Sequence, residues 1–292
     1  MKRVLSVLTA VVGVAGCGVE TVNTPSTVTT VTEAPVQGGT ENTDAEPNQQ
    51  QSTAEVSAAS RDGFDRIVAS LPAGVGVAVA PVGGSQITLV GGDLNPNVAW
   101  STIKVPLALA ARRESSGVDD AVERALTVSD NTAAEVLWAA LGGGGQASAA
   151  VESVLTEAGD FETTVPSEHR RPGFSIFGQT EWSLEAQAAF GAGLACLTDG
   201  SAVLGPMTRV DPAQSWGLGR IPGAAFKGGW GPTADGGGYL VRQFGIVPTP
   251  QGRLAVAVAA YGRTRDDGAA LLSRTAESVS AELGALSAGE CS

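Results

Sequence analysis

Trp100-Ser101-Thr102-Ile103-Lys104-Val105-Pro106 sets a hydroxyl and an amine three residues apart, S-x-x-K, at the head of an apolar run. The run, Thr102 to Arg113, contains no glycine and reads as a buried helix. One helical turn brings residues i and i+3 to the same face, so the Lys104 nitrogen is within reach of the Ser101 oxygen. Serine is a poor nucleophile at neutral pH, and a desolvated lysine of lowered pKa can take its proton. A helix N-terminus also favours negative charge developing beside it. Alone, this spacing is a weak signal that many chains carry by chance. Working outward, Ser129-Asp130-Asn131 precedes Thr132-Ala133-Ala134-Glu135 at a second helix start. Ser and Asp also cap helices routinely, which is the plainer account of that segment. Lys227-Gly228-Gly229 lies on a late strand, where glycines allow close backbone approach. A glycine-rich strand end with a surface lysine is the alternative there.

The elements around these segments follow from hydrophobic period and from breakers. Ser60 to Leu71 reads as a first helix ended by Pro72, and Gly74 to Val82 as a strand with a hairpin partner at Gln86 to Val90. The middle reads as helical over Asp119–Ala125, Thr132–Leu141, Ala147–Ala158, Leu184–Leu197 and a short piece after Gly200, interrupted by an irregular segment from Asp160 to Thr180. Strands return at Ala224–Trp230, Gly238–Val247 and Arg253–Tyr261, and Asp266–Leu286 closes as a helix. Strands at both ends with a helical insert predict an α+β fold: one antiparallel sheet with flanking helices, completed by the C-terminus, plus an all-α lobe. The crevice between sheet and lobe is the default place for a site.

Together, in this order and at these separations, the three segments resemble the S-x-x-K, S-D-N and K-T/S-G motifs of penicillin-recognising serine enzymes, most closely class A β-lactamases. The resemblance runs from about residue 60 to 286 and implies the β-lactamase/transpeptidase-like fold. It implies Ser101 as the acylated nucleophile, Lys104 as its base or the partner of its base, and Ser129 as a proton relay to the leaving nitrogen. Asn131 would hold Lys104 and the substrate amide. Lys227 would orient Ser129 and attract a substrate carboxylate, with Gly229 lining the pocket. The backbone N–H groups of Ser101 and Trp230 would form the oxyanion hole. The chain has only three lysines: Lys2 near the start, and the two motif lysines, Lys104 and Lys227. Arginine holds its proton too firmly to shuttle it, so this sparing use of lysine favours retained chemistry.

The pattern also departs from the family. The segment Asp160 to Phe174 holds Glu168 at about the right distance from Ser129 for a deacylating base, but no Leu and Asn follow it in the E-x-x-L-N pattern. Glu162 and Glu181 compete for that role, and surface solvation suits all three. Gly228 stands where a hydroxyl residue is usual; Arg242, on the next strand, could compensate at the carboxylate. Trp230 is bulky for its position and could narrow the pocket. The expected activity is therefore serine acyl-enzyme hydrolysis of a β-lactam or a related peptidoglycan-derived amide. The alternatives are a D-alanyl-D-alanine peptidase and a non-catalytic binding lipoprotein. No cofactor and no metal are called for, and a monomer is expected.

The ends of the chain carry an address. Met1-Lys2-Arg3 and the apolar run Val4 to Ala15 form a signal segment, residues 1–16, too short for a mature span. Val14-Ala15-Gly16-Cys17 resembles a bacterial lipobox, which implies a diacylated Cys17 and anchoring at the outer face of the cell membrane. Residues 17–58, rich in Thr, Ser, Pro and Gln, read as a disordered tether ahead of a domain over 59–292. Cys196 and Cys291 then remain as an even pair in an oxidising setting, either bridged or left as a buried and a free thiol. The 292 residues carry 18 Lys+Arg against 30 Asp+Glu, a net charge of −12 that argues against nucleic-acid binding. One histidine, His169, and three cysteines at no ligand spacing exclude a Cys/His zinc site. No G-x-S-x-G elbow supports a Ser-His-Asp hydrolase, and Gly142–Gly145 reads as a helix end.

Overall fold

The computed structural model describes residues 56–83, 88–93 and 98–291. The signal segment, Cys17 and nearly all of the tether lie outside the described residues. The first helix, α1 (Ala58–Ser70), starts where Ser57 accepts a hydrogen bond from the Ser60 N–H at 3.1 Å. This cap satisfies one of the free donors of the first turn.

Five strands follow from the valine- and alanine-rich stretches: β1 (Val75–Pro81), β2 (Leu89–Gly92), β3 (Ala225–Pro232), β4 (Tyr239–Thr249) and β5 (Gly252–Gly262). They form one antiparallel sheet in the order β2-β1-β5-β4-β3, so the first and last strands of the chain are neighbours. In register, Val79 sits opposite Val256. The sheet residues alternate between two cores, as the strand period of two requires. Val77, Val241, Val256 and Val258 face α1 and α8 (Arg265–Glu282). Ala78, Phe244, Ala255 and Ala257 face the other way, toward α6 (Leu184–Leu194). Small residues on that face let α6 come close: a Cβ on Gly191 would lie 3.1 Å from the Ala255 Cβ.

Between β2 and β3 the chain builds the helical lobe from α2 (Lys104–Glu114), α3 (Asp119–Thr127), α4 (Asn131–Ala140), α5 (Gly144–Glu157) and α7 (Ser201–Met207). Every residue of α2 from Lys104 to Ala111 is buried, and α3, α4, α5 and α7 all contact it. A helix apolar on all sides belongs at the centre of a lobe, and here Lys104 is its first residue.

The predicted hairpin partner of β1 differs in register from the observed one. The strand is Leu89–Gly92, displaced from the predicted 86–90, and residues 86 and 87 fall outside the described ones. Gly91 and Gly92 look like a turn by composition, yet they continue the ladder. A Cβ on Gly91 would stand 2.3 Å from Val68 on α1, so only glycine fits between sheet and helix. No helix among the described residues is long and apolar enough to cross a membrane.

Cys196, just beyond α6, is bonded to Cys291 near the C-terminus, 95 positions along the chain. A cross-link over so long a loop removes much of the unfolded chain's freedom. Replacing both cysteines with serine is expected to lower the free energy of unfolding by about 2–4 kcal/mol, read from urea denaturation as a lower midpoint, with a steeper slope as the unfolded chain expands.

Candidate active site

Ser101 lies in a 3-10 turn, Trp100–Ile103, that leads directly into α2. The backbone N–H of Lys104 bonds to the Ser101 carbonyl, the i to i+3 link that aligns residues 101 and 104 on one side. Trp100 enters the turn at φ 48°, a left-handed conformation that a bulky residue adopts only when its surroundings enforce it. The enforcement is visible on three sides. The Trp100 indole lies against β3, where a Cβ on Gly231 would come within 2.4 Å of its ring. Phe174 meets it edge-on at 5.2 Å, and the Thr102 hydroxyl ties the turn back to the Ala99 carbonyl at 2.6 Å.

Two buried amines converge on a second hydroxyl. Lys227 Nζ donates to Ser129 Oγ at 2.9 Å, and Lys104 Nζ approaches the same oxygen at 3.4 Å. Lys104 Nζ also donates to the Ser129 carbonyl and to Asn131 Oδ1, both at 2.7 Å. Ser129 holds φ 59°, the other non-glycine residue with positive φ among the described residues. The residue between Ser129 and Asn131 does something else. Asp130 caps α4 by accepting from the Ala133 N–H at 3.1 Å, and it pairs with Arg124. Capping and chemistry thus coexist in the segment, with Asp130 fixing the helix start while Ser129 and Asn131 meet Lys104.

The charges of this cluster follow from its burial. Desolvation lowers the Lys104 pKa to about 8, against weaker support from Asp130 and Glu135. Lys227, fully buried, is held well below the usual lysine range by desolvation and then by the neighbouring Lys104 charge. A lysine near neutrality is the kind of group that takes and returns a proton.

Ser101 opens onto a cleft of about 400 Å³ walled by Asn131 and Glu135 from α4, by Gly173, Phe174, Ser175, Phe177 and Gly178 of the irregular segment, and by Trp230 to Pro232 of β3. Trp230 packs edge-on against Trp216 at 6.2 Å, with the Arg265 guanidinium over its ring at 4.9 Å. Gly229 brings β3 against the serine turn: a Cβ there would stand 2.7 Å from the Ser101 nitrogen and 3.0 Å from that of Thr102. Gly228 has a local reason as well, because a side chain at that position would point at the Trp216 indole, whose ring atoms lie 3.3 Å from the site of its Cβ. Among the described residues, no group of three His, Cys, Asp or Glu side chains could hold a metal ion.

Two expected residues are placed elsewhere. Arg242 is fully buried on the sheet face that meets α6, not in the cleft. Its guanidinium donates to the Val98 carbonyl at 3.2 Å, the Trp182 carbonyl at 3.0 Å and Gln187 Oε1 at 2.8 Å. The period of two explains the correction, since the side chain of residue 242 projects from the same face as that of Phe244. Gln187 in turn donates to Thr102 Oγ1 at 3.0 Å, so Arg242 braces the serine turn from behind. Glu168 is exposed and lies outside the cleft walls. The acid that does line the cleft is Glu135, at the end of the second motif segment and with no role assigned by the resemblance. Its signal was available in the sequence: position i+4 from Asn131 on a helix lies on the same face.

This architecture is a β-lactamase-like fold. Over 76% of its length it superposes on 98% of a β-lactamase from Chitinophaga pinensis at a TM-score of 0.58 and 18% identity. A β-lactamase from Burkholderia vietnamiensis is matched over 77% of this chain and 96% of its own at a TM-score of 0.56 and 20% identity. One from Sphaerobacter thermophilus is matched over 75% and 96% at 0.55 and 19% identity. No family model matches the sequence, and no curated protein matches it.

The contact of Gly229 with the serine turn is backbone against backbone, so a side chain there forces the two apart. Gly229→Ala is expected to cost about 1–3 kcal/mol of stability, read by urea denaturation, with the serine turn displaced from β3 in a crystal structure of the variant.

Proposed function

We propose that this protein is a serine acyl-enzyme hydrolase acting on β-lactams or related cell-wall amides at the bacterial envelope. The observation that carries the reading is the convergence of the Lys104 and Lys227 amines on the Ser129 hydroxyl, beside a cleft that Ser101 lines. In this reading neutral Lys104 takes the Ser101 proton as the serine oxygen bonds to the substrate carbonyl carbon. The oxyanion meets the backbone N–H groups of Ser101 and Trp230, which cost no reorganisation when charge develops. The proton passes through Ser129 to the departing amide nitrogen as the carbon–nitrogen bond breaks. Asn131 holds Lys104 through its oxygen and offers its amide to the substrate side chain. A substrate carboxylate beside Lys227 offsets the desolvation of that amine and favours its charged form. Gly229 and Trp230 line the bound substrate.

Acylation of Cys17 would anchor the domain at the outer face of the membrane, with residues 18–55 as the tether. The Cys196–Cys291 bridge fits such an exported, oxidising setting. A small substrate, a monomeric enzyme and no nucleic-acid partner complete the reading.

Labelling with a fluorescent penicillin tests it. The wild type is expected to form a covalent adduct and Ser101→Ala none; a wild type that stays unlabelled would return the protein to the class of binding lipoproteins. The neutral amine is the competent base, and Lys104 loses its proton as pH rises through about 8. The labelling rate is therefore expected to climb about tenfold per pH unit below that value and to level off above it. A rate flat from pH 6 to 9 contradicts Lys104 as the base. In Lys104→Ala the rate should fall by about 10²–10⁴.

A further inference from the structure

Hydrolysis needs a second half-reaction, attack of water on the acylated serine, and a group to take the water's proton. Glu168, which the sequence offered, lies on the irregular segment and is not among the residues that wall the cleft. From the residues that wall the cleft we infer that Glu135 of α4 is the base of the deacylation step. The inference rests on the hydrolase reading and assigns its missing group.

Three observations carry it. Glu135 lines the same cleft as Ser101 and Asn131, and it is the only carboxylate among the residues that wall it. It stands one helical turn beyond Asn131, whose Oδ1 is fixed on Lys104 Nζ at 2.7 Å, so the helix that positions the acylation machinery also positions this acid. Another wall of the cleft is held to the same helix: Phe177 packs on Trp138 of α4 with ring centroids 5.6 Å apart, and Gly178 donates to Ser175 Oγ at 3.3 Å. Phe177, Gly178 and Ser175 all line the cleft. The carboxylate and this wall are therefore anchored to one helix, and the attacking water would stand in the cleft that both line. The charged groups acting on Glu135 are Lys104 from α2 and His169 from the irregular segment. Partial burial raises the Glu135 pKa above the ordinary glutamate range, which makes it a better proton acceptor.

The step balances simply. The water oxygen bonds to the ester carbonyl carbon as Glu135 takes one of its protons. The carbon–Oγ bond of Ser101 then breaks, and the proton held by Glu135 returns to the serine oxygen. Free acid leaves, and both side chains are back in their starting states. Neither an oxidant nor a cofactor enters.

Adduct lifetime measures this step separately from labelling. The fluorescent penicillin should label Glu135→Gln at close to the wild-type rate, with release slowed by about 10²-fold or more. In Glu168→Gln, release should match the wild type. Equal adduct lifetimes for Glu135→Gln and the wild type would overturn the inference, and so would a wild-type adduct that persists for hours. Loss of labelling in Glu135→Gln with an unchanged melting temperature would also overturn it, by moving the residue to the acylation step. Failure of the underlying reading looks different, because the wild type itself would then form no Ser101-dependent adduct.

Discussion

Two ammonium groups cannot share one buried hydroxyl cheaply. Lys104 and Lys227 both donate to Ser129 Oγ, and both are shut away from solvent. Two charges about 4 Å apart at an effective dielectric near 20 repel by about 4 kcal/mol, besides what each loses in hydration. Desolvation holds both amines below the ordinary lysine range, and for Lys227 the neighbouring Lys104 charge adds to it. Proton mobility at the site is thus a result of packing: burying α2 from its first residue onward buries Lys104 with it.

Much of the surrounding structure maintains that unfavourable arrangement. Trp100 and Ser129 sit in left-handed backbone conformations on either side of the cluster, one before the serine turn and one before α4. Such conformations cost about 1–3 kcal/mol each and persist only where neighbours over-determine them. The neighbours are identifiable. Arg242, Gln187 and Thr102 form a hydrogen-bonded chain behind the turn, and Arg171 reaches across to the Pro232 carbonyl at 2.7 Å while lying over Phe174. Gly229 and Gly231 let β3 press against the turn from the front. A fully buried arginine is costly to hold, and its three acceptors here offset that cost while fixing the backbone that leads to Ser101.

The sheet, the helical lobe and the positions of most elements were legible in the sequence, because valine alternation and a glycine-free apolar helix are local signals. The convergence of Lys104 and Lys227 was also legible, through the order of three motifs and the scarcity of lysine. Arg242 was misread because its strand was recognised without its register, and a shift of one position sends a side chain to the opposite face. Glu168 was misread because the irregular segment has no period from which to infer direction. Glu135 was hidden in plain view: the motif around Asn131 drew attention to its first three residues and not to the turn of helix behind them. The end of β2 was not legible because Gly91 and Gly92 resemble a turn, whereas their roles are set by distant neighbours, Val68 for Gly91 and Val75 and Leu71 for Gly92.

The pairing of β1 with β5 has a consequence for a chain that is made from one end. The turn bearing Ser101 is backed by a strand more than a hundred residues later, and the sheet stays open until nearly the whole domain exists. No growing chain possesses the cleft, so its nucleophile is assembled late, and as one unit. Contacts so remote in sequence also slow the search for the native state.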